Sequence, residues 1–419
     1  MLNFHGISRF YIPSGEVASI YIGDIPMWAG VKRYGFKREK ANSDPVARIT
    51  YLYDAEGMTP MSVNLSTGAT NYGGWQEFID ELCRPVMLKT DGTVDYELNH
   101  NDQTLKLDGS ASDVANTAYD GNAMVEFRKY KWVQRYEDET YEYTVFSNVQ
   151  IDDTYHAYAH TNANGVVQDA FYWGMFKGTY SNSRLRSIGA DSLMVSQTRA
   201  SEISRAQANG TGTDMATNGY YITYKSGFDY IADILTLISK SDNSQNAFGR
   251  GRVKSSNTSA LAAGTLKNKP AFYGDSTGTT DVKALYIEGI WGNIWDQLAG
   301  FGIDTSNGFK VKMTPPYDIN GNGYYATGIF PNNSVGSFVK STSCTDVAGY
   351  IPKTLDGSGS TYMCDRFTGP SSGYVPIIIG GGYTNEDECG SRCMYADASA
   401  AQAQTWIGAR LSYIKPTNI

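Results

Sequence analysis

Near its C-terminus the chain reads Gly380-Gly-Gly-Tyr-Thr-Asn-Glu-Asp-Glu-Cys-Gly-Ser-Arg-Cys-Met-Tyr-Ala-Asp-Ala-Ser399, and it continues to Trp406-Ile-Gly-Ala-Arg-Leu-Ser-Tyr-Ile414. The glycine triplet permits close backbone approach, because glycine carries no Cβ. The segment between the two motifs is polar and aromatic, and the final alternating stretch predicts a strand that fixes this segment to a core. The pattern therefore predicts a closing hairpin that displays side chains for binding and assembles no reaction centre.

Composition indicates a β-rich protein with many turns. The 419 residues include 31 tyrosines, 7 tryptophans and 44 glycines, while only 19% are charged. Aromatic residues favour strands, and glycines favour turns. The length exceeds that of a usual single domain, so we expect two or three units in a β-rich α+β fold.

Charge and cysteine content limit the classes of function. The formal net charge of -8 at pH 7 does not suit a surface that neutralises phosphates, so no nucleic acid is expected as partner. Five cysteines are few and odd in number for a secreted disulfide scaffold, which favours synthesis in a reducing compartment. No window approaches the ~18 apolar residues of a spanning helix, and the N-terminus does not resemble a signal peptide, so no membrane insertion is expected.

The chain is expected to have three parts. Residues 1–33 are predicted to form a small N-terminal β attachment element with two short strands joined by a Pro-Ser-Gly turn. Residues 34–118 are predicted to form an intermediate α+β domain. The stretch 105–119 loses its hydrophobic period and gains Gly, Ser, Asp and Asn, which places a boundary near residue 118. Residues 119–419 are expected to form the third and largest domain.

Two helices are predicted from apolar periodicity. The first runs from Trp75 to Leu82 and presents one apolar face. The second and stronger helix is expected to be capped by Ser226 and to end at Lys240, because large apolar residues recur between them at helical spacing.

Several stretches together resemble a known fold family. Besides the glycine motif and the final Ile407-Gly-Ala-Arg, the chain carries Trp291-Gly-Asn-Ile-Trp-Asp, Lys310-Val-Lys-Met-Thr-Pro-Pro-Tyr, Tyr34-Gly-Phe-Lys-Arg and Arg48-Ile-Thr-Tyr-Leu-Tyr-Asp-Ala-Glu-Gly-Met-Thr-Pro. Residues 119–419 resemble a C-type-lectin-like domain of the formylglycine-generating-enzyme branch. Within that branch, the chain is similar to bacteriophage tail-fibre and receptor-binding proteins, including the variable proteins of diversity-generating retroelements.

The resemblance implies a binding function. In retroelement-diversified proteins, the residues between the glycine motif and the Ile-Gly-X-Arg strand vary and contact ligand. The matching positions in this chain are Tyr383, Asn385, Glu386, Asp387, Glu388, Ser391, Arg392, Met394, Tyr395 and Asp397. We therefore expect a phage tail-associated receptor-binding protein that binds a host-cell surface receptor, either protein or glycan, through these residues.

The resemblance also implies an assembly and a location. Such a protein would be made in the bacterial cytoplasm and would act in the virion, where it contacts other phage tail proteins. A homotrimer is expected, because weak contacts repeated in a symmetric assembly raise avidity. No cofactor is expected. A structural tail or baseplate component, whose lectin-like domain only packs, is an alternative interpretation.

An enzyme is the alternative from another class. The formylglycine-generating branch oxidises a cysteine with a pair of thiols and a bound copper, and Cys389 and Cys393 resemble such a pair. In the enzyme the first thiol follows the tyrosine of the glycine motif by two residues, and this chain has Asn385 there. Losing one soft ligand should remove the activity, so no catalytic residue is assigned. A glycan-degrading tail spike would need a paired-carboxylate cleft, which sequence does not locate.

Two further motifs favour structural roles over metal binding. His156 and His160 lie in an alternating stretch that predicts a strand with both side chains on one face. Asp318-Ile-Asn-Gly-Asn-Gly begins like a calcium loop, but Ile329 stands where a bidentate glutamate is needed. We therefore predict a turn at Asp318, with a structural ion as the alternative, and assign no metal site.

The remaining conspicuous stretches are also interpreted structurally. Phe248-Gly-Arg-Gly-Arg-Val-Lys is a basic glycine loop that lacks the Lys-Ser/Thr of a phosphate loop, so it predicts a turn. Trp291 and Trp295 flank a glycine and are expected to anchor the core or a loop.

Overall fold

The computed structural model describes residues 19–22, 25–190, 192–212, 215–332, 336–370, 372–397 and 399–417. Strands account for 33% of the structure and helices for 12%, in several sheets of which none closes within the described part. The predicted β-rich class is therefore confirmed. None of the described helices combines the length and the apolar character needed to cross a membrane.

The helices of the described part are short except for one. Two 3-10 turns occur at Tyr158–His160 and Glu386–Glu388. The α-helices are α1 (Gln76–Leu82), α2 (Arg199–Gln207), α3 (Met215–Asn218), α4 (Lys225–Ser239) and α5 (Ser244–Phe248).

The strands of the described part are mostly short and distributed along the whole chain. They are β1 (Ser19–Ile22), β2 (Ile25–Ala29), β3 (Arg33–Glu39), β4 (Ile49–Tyr53), β5 (Ser62–Val63), β6 (Thr70–Asn71), β7 (Cys83–Lys89), β8 (Val94–Glu97), β9 (Gly121–Phe127), β10 (Trp132–Glu137), β11 (Tyr141–Ser147), β12 (Phe171–Gly174), β13 (Thr179–Ser181), β14 (Arg184–Arg186), β15 (Tyr220–Ile222), β16 (Lys283–Ala284), β17 (Ile287–Glu288), β18 (Trp295–Asp304), β19 (Gly308–Val311), β20 (Tyr325–Ala326), β21 (Ser337–Phe338), β22 (Ser341–Thr345), β23 (Gly349–Thr354), β24 (Arg366–Thr368), β25 (Tyr374–Ile379), β26 (Met394–Tyr395), β27 (Ile407–Gly408) and β28 (Leu411–Ile414).

Three sheets form the body of the molecule. A four-stranded antiparallel sheet has the order β10-β11-β3-β4, and a six-stranded sheet has the order β15-β28-β12-β9-β7-β8. An eight-stranded sheet follows the path β20-β19-β18-β25-β26-β24-β21, with β27 paired to β18. The alternating stretch at the C-terminus becomes β28, whose residues are all buried between β12 and β15. The predicted final strand is therefore confirmed as part of the core.

The sheets cross the boundary predicted near residue 118. Strand β11 pairs with β3 from Tyr141 opposite Glu39 to Ser147 opposite Arg33, and β9 pairs with β7 along its whole length. One continuous apolar core reaches from Phe36 to Ile414. The turn-rich stretch 105–119 folds into hydrogen-bonded turns, for example Lys106 N–H to Ser110 O at 2.7 Å. Residues 34–118 and 119–419 therefore share their sheets and core, because strands distant in sequence bury their apolar faces against each other.

The N-terminal element is described only in part. The first predicted strand, near residues 9–12, lies outside the described residues. The second overlaps β1, which pairs antiparallel with β2. Its attachment role stays a prediction.

Both predicted helices are present, and one start is corrected. Phe78, Ile79 and Leu82 of α1 are buried, as the periodicity predicts. Helix α4 begins at Lys225, one residue before the expected cap. Ser226 therefore lies inside the first turn, and its hydroxyl donates a 2.7 Å hydrogen bond to Met313 O instead of capping the helix.

The strand predicted for the histidine stretch is wrong. Tyr158–His160 forms a 3-10 turn, so His156 and His160 do not share one face and lie in different environments. The His156 ring stacks on Tyr158 at 4.8 Å, whereas His160 is buried against Phe171. Burial lowers the pKa of His160 to about 3, so its ring is neutral at physiological pH. In the described part of the chain, no three His, Cys, Asp or Glu side chains converge as a metal site.

Arg410 of the final motif is a buried support between strands. It donates hydrogen bonds to the carbonyl groups of Gly174 at 3.0 Å, Glu288 at 2.9 Å and Gly289 at 3.0 Å. Its Nε atom also lies 3.6 Å from a carboxylate oxygen of Asp296, which pairs with Lys177 at 2.9 Å. A planar guanidinium suits this role, because its donors point in several fixed directions.

We predict that Arg410→Ala destabilises the protein by about 3–5 kcal/mol, because it removes one partner from a buried charged network. The free energy of unfolding in urea is the measurement. The control is Arg184→Ala, which removes a surface pair with Asp120 and should cost about 0–1 kcal/mol. Equal effects of the two substitutions would contradict the supporting role of Arg410.

Candidate functional site

The glycine triplet brings the predicted binding segment, residues 383–397, against the core. Gly380 donates its N–H to Cys393 O at 3.0 Å, and its own carbonyl accepts the N–H of Gly292 at 2.9 Å. Gly381 has a φ of 87°, and a Cβ at this position would lie 1.9 Å from Cys389 Sγ. Glycine is therefore required at residue 381, as the close approach predicted from the motif demands.

Asn385 closes the turn that follows the triplet. Its Oδ1 accepts the N–H of Gly382 at 2.7 Å, and its carbonyl accepts the N–H of Glu388 at 3.1 Å. The 3-10 turn Glu386–Glu388 starts directly after it. Asn385, which stands where the predicted resemblance to an oxidase would require a thiol, thus has a structural contact of its own.

Two arginines from other parts of the chain pair with the three acidic residues of this turn. Arg250 pairs with Glu386 and, at 2.8 Å, with Asp387, while Arg366 pairs with Glu388. Hydrogen bonds from Ser255, followed by the charge of Arg250, hold the pKa of Glu386 below its usual value. The acidic run is therefore not an isolated anionic patch.

Arg392 and Met394 are buried, contrary to the prediction that the whole segment is displayed. Arg392 is 2% exposed, pairs with Asp233 of α4 and lies over the ring of Tyr350 at 5.1 Å. Met394 is 1% exposed and packs in the core through β26. The charged side chain of Arg392 can lie in the interior because it pairs with the buried carboxylate of Asp233.

The other eight predicted residues keep access to solvent. Asp387 and Asp397 are exposed, while Tyr383, Asn385, Glu386, Glu388, Ser391 and Tyr395 are partly exposed. Those from 383 to 391 lie together beside α5 and the basic loop at Arg250. Tyr395 lies farther along, on β26, where its ring contacts Trp295 at 5.6 Å and Trp406 at 6.3 Å.

Several residues that shape this site are absent from the sequence prediction. Arg250 belongs to the basic glycine loop that was assigned only a turn, and Arg366 lies on β24. Asn257 donates to Tyr383 O at 2.8 Å, and Gln245 donates to Glu386 O at 3.1 Å. These partners are far apart in sequence from the segment. Opposite charge is the signal that could have indicated the two arginines, and the neutral Asn257 and Gln245 offer none.

The remaining sequence motifs have structural contacts. Trp291 is fully buried and donates to Gly249 O at 3.2 Å, and Trp295 is buried too, so both are anchors as predicted. The Asp318 carboxylate accepts the N–H groups of Asn320 at 2.8 Å and Asn322 at 3.0 Å, which is the contact of a turn. Cys389 and Cys393 are buried free thiols.

Asp365 lies beneath the segment as a buried carboxyl group. It accepts the N–H of Arg392 at 2.9 Å, and the residue is 2% exposed. Burial raises the pKa of Asp365 to about 8, and the nearby Asp242 adds to this shift. The carboxyl group is therefore protonated at neutral pH, when it can both donate and accept hydrogen bonds.

Comparison with known proteins gives a limited likeness. No protein-family model matches the chain, and no curated protein matches it. Among solved structures, the "Major Tropism Determinant P3c Variant" is similar over 80% of this chain and 72% of its own length, at 12% identity and a TM-score of 0.27. A TM-score this low carries no inference about the fold, the site or the function.

We predict that Asp365→Asn changes the pH dependence of stability. The pKa of Asp365 in the folded state lies above its unfolded value of about 3.9, so between the two values only the folded state binds this proton. The free energy of unfolding therefore falls as the pH rises towards 8. Between about pH 5 and about pH 7, the stability of the parent relative to the variant should fall by about 1.4 kcal/mol per pH unit. Urea unfolding across this range measures it.

Asp44→Asn is the matched control for this experiment. Hydrogen bonds from the N–H groups of Ala47 and then Val46 lower the pKa of Asp44, so it is ionised in both states above about pH 5. The free energy of unfolding of Asp44→Asn, plotted against pH, should run parallel to that of the parent over the same range. A parallel curve for Asp365→Asn as well would show that Asp365 is ionised in the folded protein.

Proposed function

We propose that this chain is a receptor-binding protein of a phage virion, and that residues 383–397 contact a ligand on the host-cell surface. The observation that supports this most is how the segment is held. Main-chain atoms of Tyr383, Glu386 and Ser391 bond to Asn257, Val253 and Ser244 at 2.8, 2.7 and 2.9 Å, respectively. Backbone contacts thus fix part of the segment, while the side chains of Tyr383, Asp387 and Asp397 keep access to solvent.

Rigid display favours binding energetically. A segment that is already ordered loses little conformational entropy when a partner arrives. The second half of the segment is ordered as well. The buried side chain of Arg392 is held by an ion pair, and strand β26 is held by backbone pairing. Tyrosine and aspartate on such a frame provide the aromatic and polar contacts that binding surfaces use.

The proposal includes no catalytic step. Asn385 occupies the position of the first thiol of the similar oxidase, and its amide is committed to Gly382. Receptor recognition needs only complementary contacts, and many weak contacts suffice when they are repeated in an assembly.

Assembly into a homotrimer that joins other phage tail proteins is part of the proposal. A trimer would present three copies of the segment to one cell surface and would raise avidity. Light scattering after size exclusion should give three times the 45.9 kDa of one chain. A monomer that still adsorbs to cells would contradict the trimer but not the receptor-binding function.

We predict that the combined variant Tyr383→Ala, Asp387→Ala, Asp397→Ala binds host cells at least about tenfold more weakly than the parent, because central interface residues carry most binding energy. The measurement is the amount of labelled protein retained on a panel of bacterial strains. Arg392 stays unchanged in this variant, since its buried ion pair would confound binding with folding.

The control carries the same residue types at the surface elsewhere: Tyr325→Ala, Asp153→Ala and Asp169→Ala. All three are exposed, and Asp169 forms a surface pair with Lys131 as Asp387 does with Arg250. The control should bind as the parent does. Equal binding by the parent, the variant and the control would place any receptor contact outside residues 383–397.

A further inference from the structure

A cleft of about 470 Å³ lies beside the proposed binding segment. Helix α5 lines it, the segment contributes Asp387 and Cys389, and a third set of residues includes Phe338, Ser360 and Asp365. This volume falls within the ~300–1,000 Å³ of small-ligand sites. The cleft therefore continues the surface formed by residues 383–391 into a concave site.

The walls of this cleft are tied to one another. Asn243 at the start of α5 donates to Gly359 O at 3.3 Å, which joins α5 to the loop that carries Ser360. Ser244 Oγ accepts the N–H of Ser391 at 2.9 Å, which joins α5 to the segment. A cleft whose walls are linked in this way is formed before a ligand arrives, and binding loses less entropy.

The chemistry of the lining favours an uncharged polar ligand. Amide, hydroxyl and carboxyl groups predominate, and none of the described side chains that line the cleft is basic. An anionic ligand would therefore meet no basic lining residue, and the nearby Arg250 is already paired with Asp387. The two carboxyl groups do not select a cation strongly either, because Asp387 is paired with Arg250 at 2.8 Å and burial keeps Asp365 protonated with a pKa of about 8.

The cleft also has an aromatic wall. The ring of Phe338 is partly exposed and lines it. Gly359 stands between this ring and Asp387, and a Cβ there would lie 3.4 Å from Phe338 Cε1 and 3.3 Å from Asp387 Cβ. Both distances are short even for a methyl group, so Phe338 and Asp387 flank Gly359 closely. They line the cleft side by side, an apolar ring next to a carboxylate. A sugar offers the matching pair of surfaces, an apolar ring face and polar hydroxyl groups.

We infer that the cleft binds an uncharged sugar unit of a cell-surface glycan. Asn246, Asp365 and Asp387 hydrogen-bond its hydroxyl groups, and the Phe338 ring packs against its apolar face. This inference deepens the proposed function and rests on it, since it names the chemical class of the receptor. A glycan chain seated here would run out along residues 383–391.

The test uses the full chain and Ser360→Trp, which fills the cleft from an exposed position. Ser306→Trp, on the exposed β18–β19 turn, is the matched control. Binding is measured to immobilised neutral hexose, N-acetylhexosamine and 6-deoxyhexose oligosaccharides, and to sialylated and sulfated counterparts. We expect binding to neutral probes only, weakened at least about tenfold by Ser360→Trp and unchanged by Ser306→Trp. Phe338→Ala, which removes the apolar wall without filling the cleft, should weaken the same probes.

Cell adsorption separates this inference from the proposed function. Adsorption that is lost after periodate treatment of the cells and kept after protease treatment supports a glycan receptor. The opposite pattern, or adsorption without binding to any neutral probe, overturns the sugar site and leaves the receptor-binding function standing. Preference for acidic probes, or undiminished sugar binding by a folded Ser360→Trp and Phe338→Ala, also overturns it. Absence of both cell and sugar binding overturns both proposals.

Discussion

The rest of the structure depends on the ion pairs made by the buried carboxylate of Asp233. Asp233 lies on α4 and pairs with Arg135 of β10 at 2.8 Å and with Arg392 of the proposed binding segment. Burial opposes its ionisation, but the two guanidinium groups hold its pKa below the usual value. Helix, sheet and segment are therefore coupled, since moving any one of them would leave a charge unpaired in the interior.

The same principle acts just beyond the end of α4. Asp242 accepts two 2.8 Å hydrogen bonds from Arg38 of β3, whose remaining nitrogen pairs with Glu142 of β11 at 2.8 Å. These strands belong to the sheet that also contains Arg135. A buried ion pair adds little net stability, because desolvation offsets most of its attraction. We therefore interpret these pairs as devices that specify where α4 sits on the four-stranded sheet, while apolar burial provides the stability.

Several local patterns in the sequence identify local features correctly, although the alternation around His156 and His160 does not. The apolar face of α1, the close approach at Gly381 and the buried strand β28 each depend on neighbouring residues. Features that depend on distant partners are not predictable in this way. Arg392 is a charged residue in a polar stretch of sequence, and its buried ion pair is with Asp233, 159 residues earlier. The pairing of β3 with β11 across residue 118 is another such feature, because these strands are far apart in sequence.

The arrangement separates the residues that hold the segment from those that face solvent. Tyr383, Glu386 and Ser391 are attached by main-chain atoms, which every residue type except proline supplies equally. The side-chain pairs of Asp387 and Glu388 are partly exposed, where ion pairs contribute little to stability. Substitution of the outward side chains should therefore leave the frame intact, whereas Gly381 and Arg392 admit little change. The outward face of residues 383–397 can therefore change in chemistry while the fold that holds it stays the same.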